Sequence, residues 1–95
     1  MTTVATKPLF ALGSLLITPG ALSLFSNPPY EASQIIDKHL SGDWGDLEGD
    51  DIEANVYAYQ NGLRIFSKYY VAGKAIYVIT EADRSATTIL LPSEY

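Results

Sequence analysis

Cysteine is absent from the 95 residues, which excludes disulfides, thiolate-ligated zinc, iron–sulfur clusters and a thiol nucleophile in one step. That absence suits a reducing compartment, and a cytoplasmic location is the expectation. Histidine occurs once, as His39, so multi-histidine metal sites are excluded and imidazole acid–base chemistry is confined to one position. Basic residues are sparse: Lys7, Lys38, Arg64, Lys68, Lys74 and Arg84 stand scattered against eleven acids, for a formal net charge of −5. A face that displaces phosphate counterions needs clustered Lys and Arg, so direct nucleic-acid binding is not expected. Long apolar runs are missing as well. The best one, Leu9 to Ile17, follows Lys7 like the core of a signal peptide, yet it is too short to span a bilayer. A Gly-Ser break interrupts it, and Thr18-Pro19-Gly20 supplies a turn where an Ala-x-Ala cleavage site is wanted. No membrane association is expected. The chain carries no glycine-rich phosphate loop or dinucleotide fingerprint, and no cofactor is expected.

What is present is enough for one core: 47% of the residues are apolar and seven are tyrosines, consistent with a single domain of this length. Residues 1 to 7 lack periodicity and read as a flexible tail, leaving 8 to 95 as the globular unit. Residues 8 to 17 read as a first strand, apolar on both faces and so expected to lie centrally or under cover on both sides. It can join either edge of the sheet or insert beside the last strand. Thr18-Pro19 marks the start of a short helix through Ala21, Leu22, Leu24 and Phe25, which Asn27-Pro28-Pro29 stops. Ala32, Ile35, Ile36, His39 and Leu40 recur at helical spacing and predict a helix from Glu31 to Leu40. Two glycines and two aspartates in Ser41 to Asp46 make a loop. A third helix, Glu48 to Asn61, is expected to bury Ile52, Val56 and Tyr59, with Ala58 or Asn55 beside them, and to end on Gly62.

Three strands complete the chain. Leu63 to Val71 alternates like a half-exposed strand, Ala72-Gly73-Lys74 turns it, and Ala75 to Thr80 and Thr87 to Leu91 are apolar enough to be central. Short connections imply antiparallel pairing. The fold class is therefore α+β: a largely antiparallel sheet of three or four strands packed against two or three helices, in the order β-α-α-α-β-β-β.

Three groups of residues invite a functional reading. His39 lies four and seven residues before Asp43 and Asp46, a spacing that allows a His–Asp pair for a small hydrolase or transferase. Its structural alternative is a histidine near a helix C-terminus that satisfies end carbonyls and packs partly into the core. Asp43, Asp46, Glu48, Asp50, Asp51 and Glu53 gather six of the eleven acids. They lack the regular spacing of a calcium loop, so no metal is expected. As a surface, Asp43, Trp44, Asp46, Asp50 and Asp51 form a candidate partner-binding patch, with Trp44 either displayed inside an acidic rim or tucked onto the core. The third group, Glu81, Asp83, Arg84 and Ser85, with His39 as a possible neighbour, has the residue types to bind a carboxylate or phosphate. It can equally fix its own turn, Arg84 donating to Asp83 or Glu81. No catalytic residue is assigned.

Gly42-Asp43-Trp44-Gly45-Asp46 and the stretch from Thr80 to Pro92 (Thr-Glu-Ala-Asp-Arg-Ser-Ala-Thr-Thr-Ile-Leu-Leu-Pro) resemble a family of small plasmid-related proteins of plasmids and integrative elements. The similarity covers most of the chain from Leu9 onward. It implies an accessory protein of a mobile genetic element and carries no activity, cofactor or catalytic residue with it. The corresponding expectation is a protein-binding module whose acidic surface imitates phosphate spacing and occupies a basic groove of a host or element-encoded protein, as an anti-defence protein does. A homodimer through a sheet edge or through Tyr69, Tyr70 and Tyr77 is the further possibility.

Overall fold

The computed structural model describes residues 8–95; the expected tail, 1 to 7, lies outside the described residues. In chain order the elements are β1 (Ser14–Ile17), α1 (Pro19–Leu22), α2 (Pro28–Ser41), α3 (Gly49–Asn61), β2 (Ile65–Val71), β3 (Lys74–Thr80) and β4 (Ala86–Leu90), with a final 3-10 turn at Pro92–Glu94. This is the expected α+β class and element order. The sheet runs β1-β4-β3-β2. Its β2–β3 and β3–β4 pairings are antiparallel, while β1 lies parallel to β4, so the sheet is mixed. The three helices and their loops lie between β1 and β2 in sequence, and that long connection is what permits β1 to return parallel beside the last strand.

Sequence signals account for most boundaries. Thr18 caps α1, its hydroxyl accepting from Ala21 N–H at 3.2 Å. The two prolines after Asn27 do not only stop the preceding segment; they occupy the first positions of α2, where their missing N–H groups would have no helical partner anyway. Helix α2 therefore starts three residues earlier than its periodicity predicts. Glu31 closes the start by accepting the Asn27 N–H at 2.8 Å. At the other end Gly42, at φ 92°, lets Asp43 N–H reach the Lys38 carbonyl at 2.9 Å, a Schellman ending. Between β2 and β3, Ala72 and Gly73 both adopt positive φ, 53° and 77°, which gives the two-residue turn the twist a hairpin favours.

Helix α2 covers one face of the sheet, where Ala32, Ile35 and Ile36 join Ala21, Phe25, Tyr69, Val71, Ile76, Val78 and Ile89 in the main core. A smaller core under α3 contains Phe10, Trp44, Ala58 and Ile65. As expected, β3 and β4 are central.

Two expectations are corrected. Strand β1 starts only at Ser14 and is an exposed edge, with Leu15 40% and Leu16 52% accessible; its apolar pattern does not signal central placement. In α3 the inward residues are Asn55 and Ala58, with Tyr59 half-buried, whereas Ile52 and Val56 are exposed. The cause lies in β2. Its edge residue Phe66 needs partners for its backbone N–H and C=O, and Asn55 supplies both, so satisfying these groups sets the rotation of the helix.

Candidate functional site

His39 sits on the apolar stripe of α2, and the sheet it faces offers hydroxyls in place of methyl groups. Ser67 is the inward residue of β2 between Ile65 and Tyr69, Thr80 ends β3, and Thr87 lies opposite Thr80 on β4. His39 Nδ1 is 2.6 Å from Ser67 Oγ and Nε2 is 2.9 Å from Thr80 Oγ1. Thr80 Oγ1 in turn lies 2.7 Å from Thr87 Oγ1, which donates to the Leu12 carbonyl at 2.7 Å. All four side chains are fully buried.

That terminal carbonyl orders every proton in the chain. A carbonyl only accepts, so the single Thr87 proton points to Leu12 and Thr80 must donate to Thr87. Thr80 then accepts from His39, which places the ring proton on Nε2 and leaves Nδ1 bare to accept from Ser67. The neutral ring agrees with its surroundings, since burial lowers the His39 pKa from 6.5 to about 4.

Aromatic rings close the remaining sides. Phe10 meets the imidazole edge-on at 5.2 Å, and Trp44, at 6.0 Å, stacks with Phe10 at 6.2 Å between centroids. Trp44 is 5% exposed, so it anchors its loop and is not displayed. The loop is held further by Tyr69 Oη donating to the Asp43 carbonyl and by Lys68, whose N–H and C=O are bonded by the Trp44 carbonyl and Asp46 N–H at 3.1 and 2.8 Å. Burial pushes the Tyr69 phenol up to about 12.

The expected pairing of His39 with Asp43 or Asp46 does not form. The Asp43 carboxylate accepts Gly45 N–H at 3.3 Å, and that of Asp46 accepts the Tyr70 hydroxyl at 2.8 Å. Ser67 and His39 share the hydrogen bond of a nucleophile–base pair, but both side chains are fully buried, where no substrate atom reaches. Sequence reasoning missed Ser67, Thr80 and Thr87 as partners of His39. The available signal was a serine on the inward alternation of β2, a polar side chain that must find a partner.

Arg84 lies close by without joining the site. Its guanidinium lies over the Phe10 ring, 5.7 Å from its centroid, and donates to the carbonyls of Leu63, Glu81, Ala82 and Ala58 at 2.7 to 3.1 Å. The fork thereby ties the β3–β4 turn to the C-terminal turn of α3. Arg84 does hold its turn, though through backbone carbonyls, that of Glu81 among them, and not through the side-chain carboxylates of Asp83 or Glu81 as expected. Asp83 accepts Ser85 N–H at 3.0 Å and is held below the usual carboxylate range by its hydrogen bonds from Ser85. Glu81 pairs with Arg64 at 3.3 Å on the surface. His39, Trp44 and Arg84 thus pack around Phe10, with the imidazole and the guanidinium hydrogen-bonded to other groups of the protein.

The acidic stretch is different. Asp43, Asp46, Glu48, Asp50, Asp51 and Glu53 are all exposed, and among the described residues no three acids or histidines converge as for a metal ion. Next to them, α3 leaves Ile52, Val56 and Tyr57 exposed at 40, 39 and 60%. Among the described residues, no helix is long and apolar enough to cross a membrane.

Fold and site together define a small α+β domain: a four-stranded mixed sheet under helices, with a sealed histidine–hydroxyl network at its centre. Comparison with protein-family models, curated proteins and solved structures gives no match.

Proposed function

We propose that the chain is a non-catalytic protein-binding module that engages its partner through the outward face of α3 and the acidic segment leading into it. The observation that carries this reading is the exposure of Val56 and Tyr57 on the helix whose first turns carry the exposed acids Asp50, Asp51 and Glu53. Exposed apolar and aromatic side chains beside charged ones suit a protein-contact patch, and the acids favour a partner with a basic groove. Trp44 contributes by fixing the loop that carries Asp43 and Asp46. The motif resemblance supports service to a mobile genetic element, with a host or element-encoded protein as partner and an anti-defence role as one form of it. The hydrolase or transferase alternative draws no support from the geometry, because the imidazole is buried and pairs with neither aspartate.

The test is affinity capture from host lysate at low salt with three baits: the wild type, Tyr57→Ala, and the double variant Asp50→Lys, Asp51→Lys. A protein retained by the wild type and lost from both variants, each with an unchanged melting temperature, supports the reading. Retention by all three baits, or by none, overturns it.

A further inference from the structure

The two edges of the sheet are finished differently. On β2, the outward backbone groups of Phe66 are bonded by Asn55 and those of Lys68 by the 44–46 loop, which blocks other strands along most of that edge, up to Tyr70. On β1, Ser14 and Thr18 donate to the Ser85 and Ile89 carbonyls of the β4 segment, both at 3.0 Å. Alternation along the strand then turns the N–H and C=O of Leu15 and Ile17 away from β4, and among the described residues nothing takes them. Beside this edge runs an apolar groove of about 430 Å³ between β1 and α2, lined by Leu12, Leu15, Ile17, Pro29, Ala32 and Ile36. The one charged side chain on its described lining is Asp37.

We infer that the free edge of β1 receives an extended segment of a partner protein that pairs with Leu15 and Ile17, sets alternate aliphatic side chains into the groove, and carries a lysine or arginine at the Asp37 end. Only an extended main chain supplies N–H and C=O groups at the alternation the edge requires. Leu15 pairs in register with Thr87, which faces the helices, so every second side chain of an added strand falls over the groove. Pro28 and Asp37, nine residues apart on α2, are about 13 Å apart along its axis, the span of about four extended residues. Charge selects the occupant: the lone Asp37 carboxylate and a net charge of −5 favour a cationic segment, whereas a second copy of the chain would bring the same −5 and its own Asp37. This surface is separate from the outward face of α3, and the two stand or fall independently.

Fluorescence anisotropy of the full chain tests it with a labelled hexapeptide, acetyl-Lys-Thr-Val-Thr-Leu-Thr-amide, whose lysine, valine and leucine fall on one face. One control peptide has proline for the central valine and the other has glutamate for lysine. Saturable binding is expected, weakened about tenfold by the proline, which removes an edge hydrogen bond, and about threefold by the glutamate. Leu15→Pro, whose N–H points away from β4, should weaken binding about tenfold while the chain stays folded. Should that variant fail to fold, Asp37→Lys serves in its place and should reverse the preference between the lysine and glutamate peptides. Absence of saturable binding, or binding indifferent to the proline peptide and to Asp37→Lys, overturns the inference. It is also overturned if light scattering shows a dimer that Leu15→Pro dissociates, or if deleting residues 1 to 7 raises peptide affinity tenfold, since either result gives the edge another occupant.

Discussion

The side-chain amide of Asn55 bonds both backbone groups of Phe66: the Phe66 N–H donates to Oδ1 at 3.0 Å, and Nδ2 donates to the Phe66 carbonyl at 2.5 Å. A helix residue thereby stands in for a neighbouring strand. The pairing explains why α3 turns a polar residue inward and leaves Ile52 and Val56 in solvent, and it makes Asn55 a sensitive point in the fold.

Asn55→Asp keeps the shape and replaces the donor with an acceptor facing the Phe66 carbonyl, at a position 4% exposed. The variant should lose roughly 3 kcal/mol of stability at neutral pH. The loss should shrink under mild acid, as the introduced carboxyl takes a proton and donates again. Urea melts at two pH values check both.

His39 sets a pH dependence with a definite sign. Its pKa is lowered from 6.5 to about 4, so between these values the unfolded chain binds the proton and the folded chain does not. Stability is therefore full above about pH 6.5 and declines as pH falls toward 4, by about 1.4 kcal/mol per unit and roughly 3 kcal/mol across the window. The ring's contacts, Phe10, Trp44, Ser67 and Thr80, do not titrate there. His39→Gln should be less stable at neutral pH yet flat from pH 6.5 to 4.5 in the same urea melts.

Arg84 donates four hydrogen bonds to carbonyls from a backbone at φ 62°. Arg84→Lys retains the charge and loses the planar fork, and should cost about 2 kcal/mol. For a domain of this size that lowers the melting temperature by on the order of 10 °C. A calorimetric melt unchanged by the substitution would show that the fork does not secure the turn.

Gly45 approaches β2 so closely that a methyl group would overlap the Lys68 carbonyl, and its φ of 79° disfavours any side chain. Gly45→Ala should detach the loop, expose Trp44 and shift its emission to the red, with a loss of more than about 2 kcal/mol. Trp44 is the sole tryptophan, which makes the fluorescence reading unambiguous.

Much of the fold was legible because its signals are local. Thr18 before Pro19, Gly42 after the α2 stripe, Gly62 after α3 and Gly73 in the hairpin each mark a backbone transition that a single residue type favours. The candidate site was less legible. Its members come from α2, β2, β3 and β4, and His39 pairs with Ser67 and Thr80 at separations of 28 and 41 residues. The nearby aspartates were attractive partners by spacing alone, but the αL turn at Gly42 carries them away from the buried face of the helix on which the ring lies.

Element order, the α+β class, the exposure of the acidic stretch and the lack of thiol chemistry follow from the chain alone, because they depend on composition, periodicity and turn residues. Tertiary structure decided the parallel placement of β1, the rotation of α3 and the sealing of His39. Each of those is settled by which distant backbone group or hydroxyl needs a partner once the sheet has closed, and neither hydropathy nor spacing along the chain encodes that need.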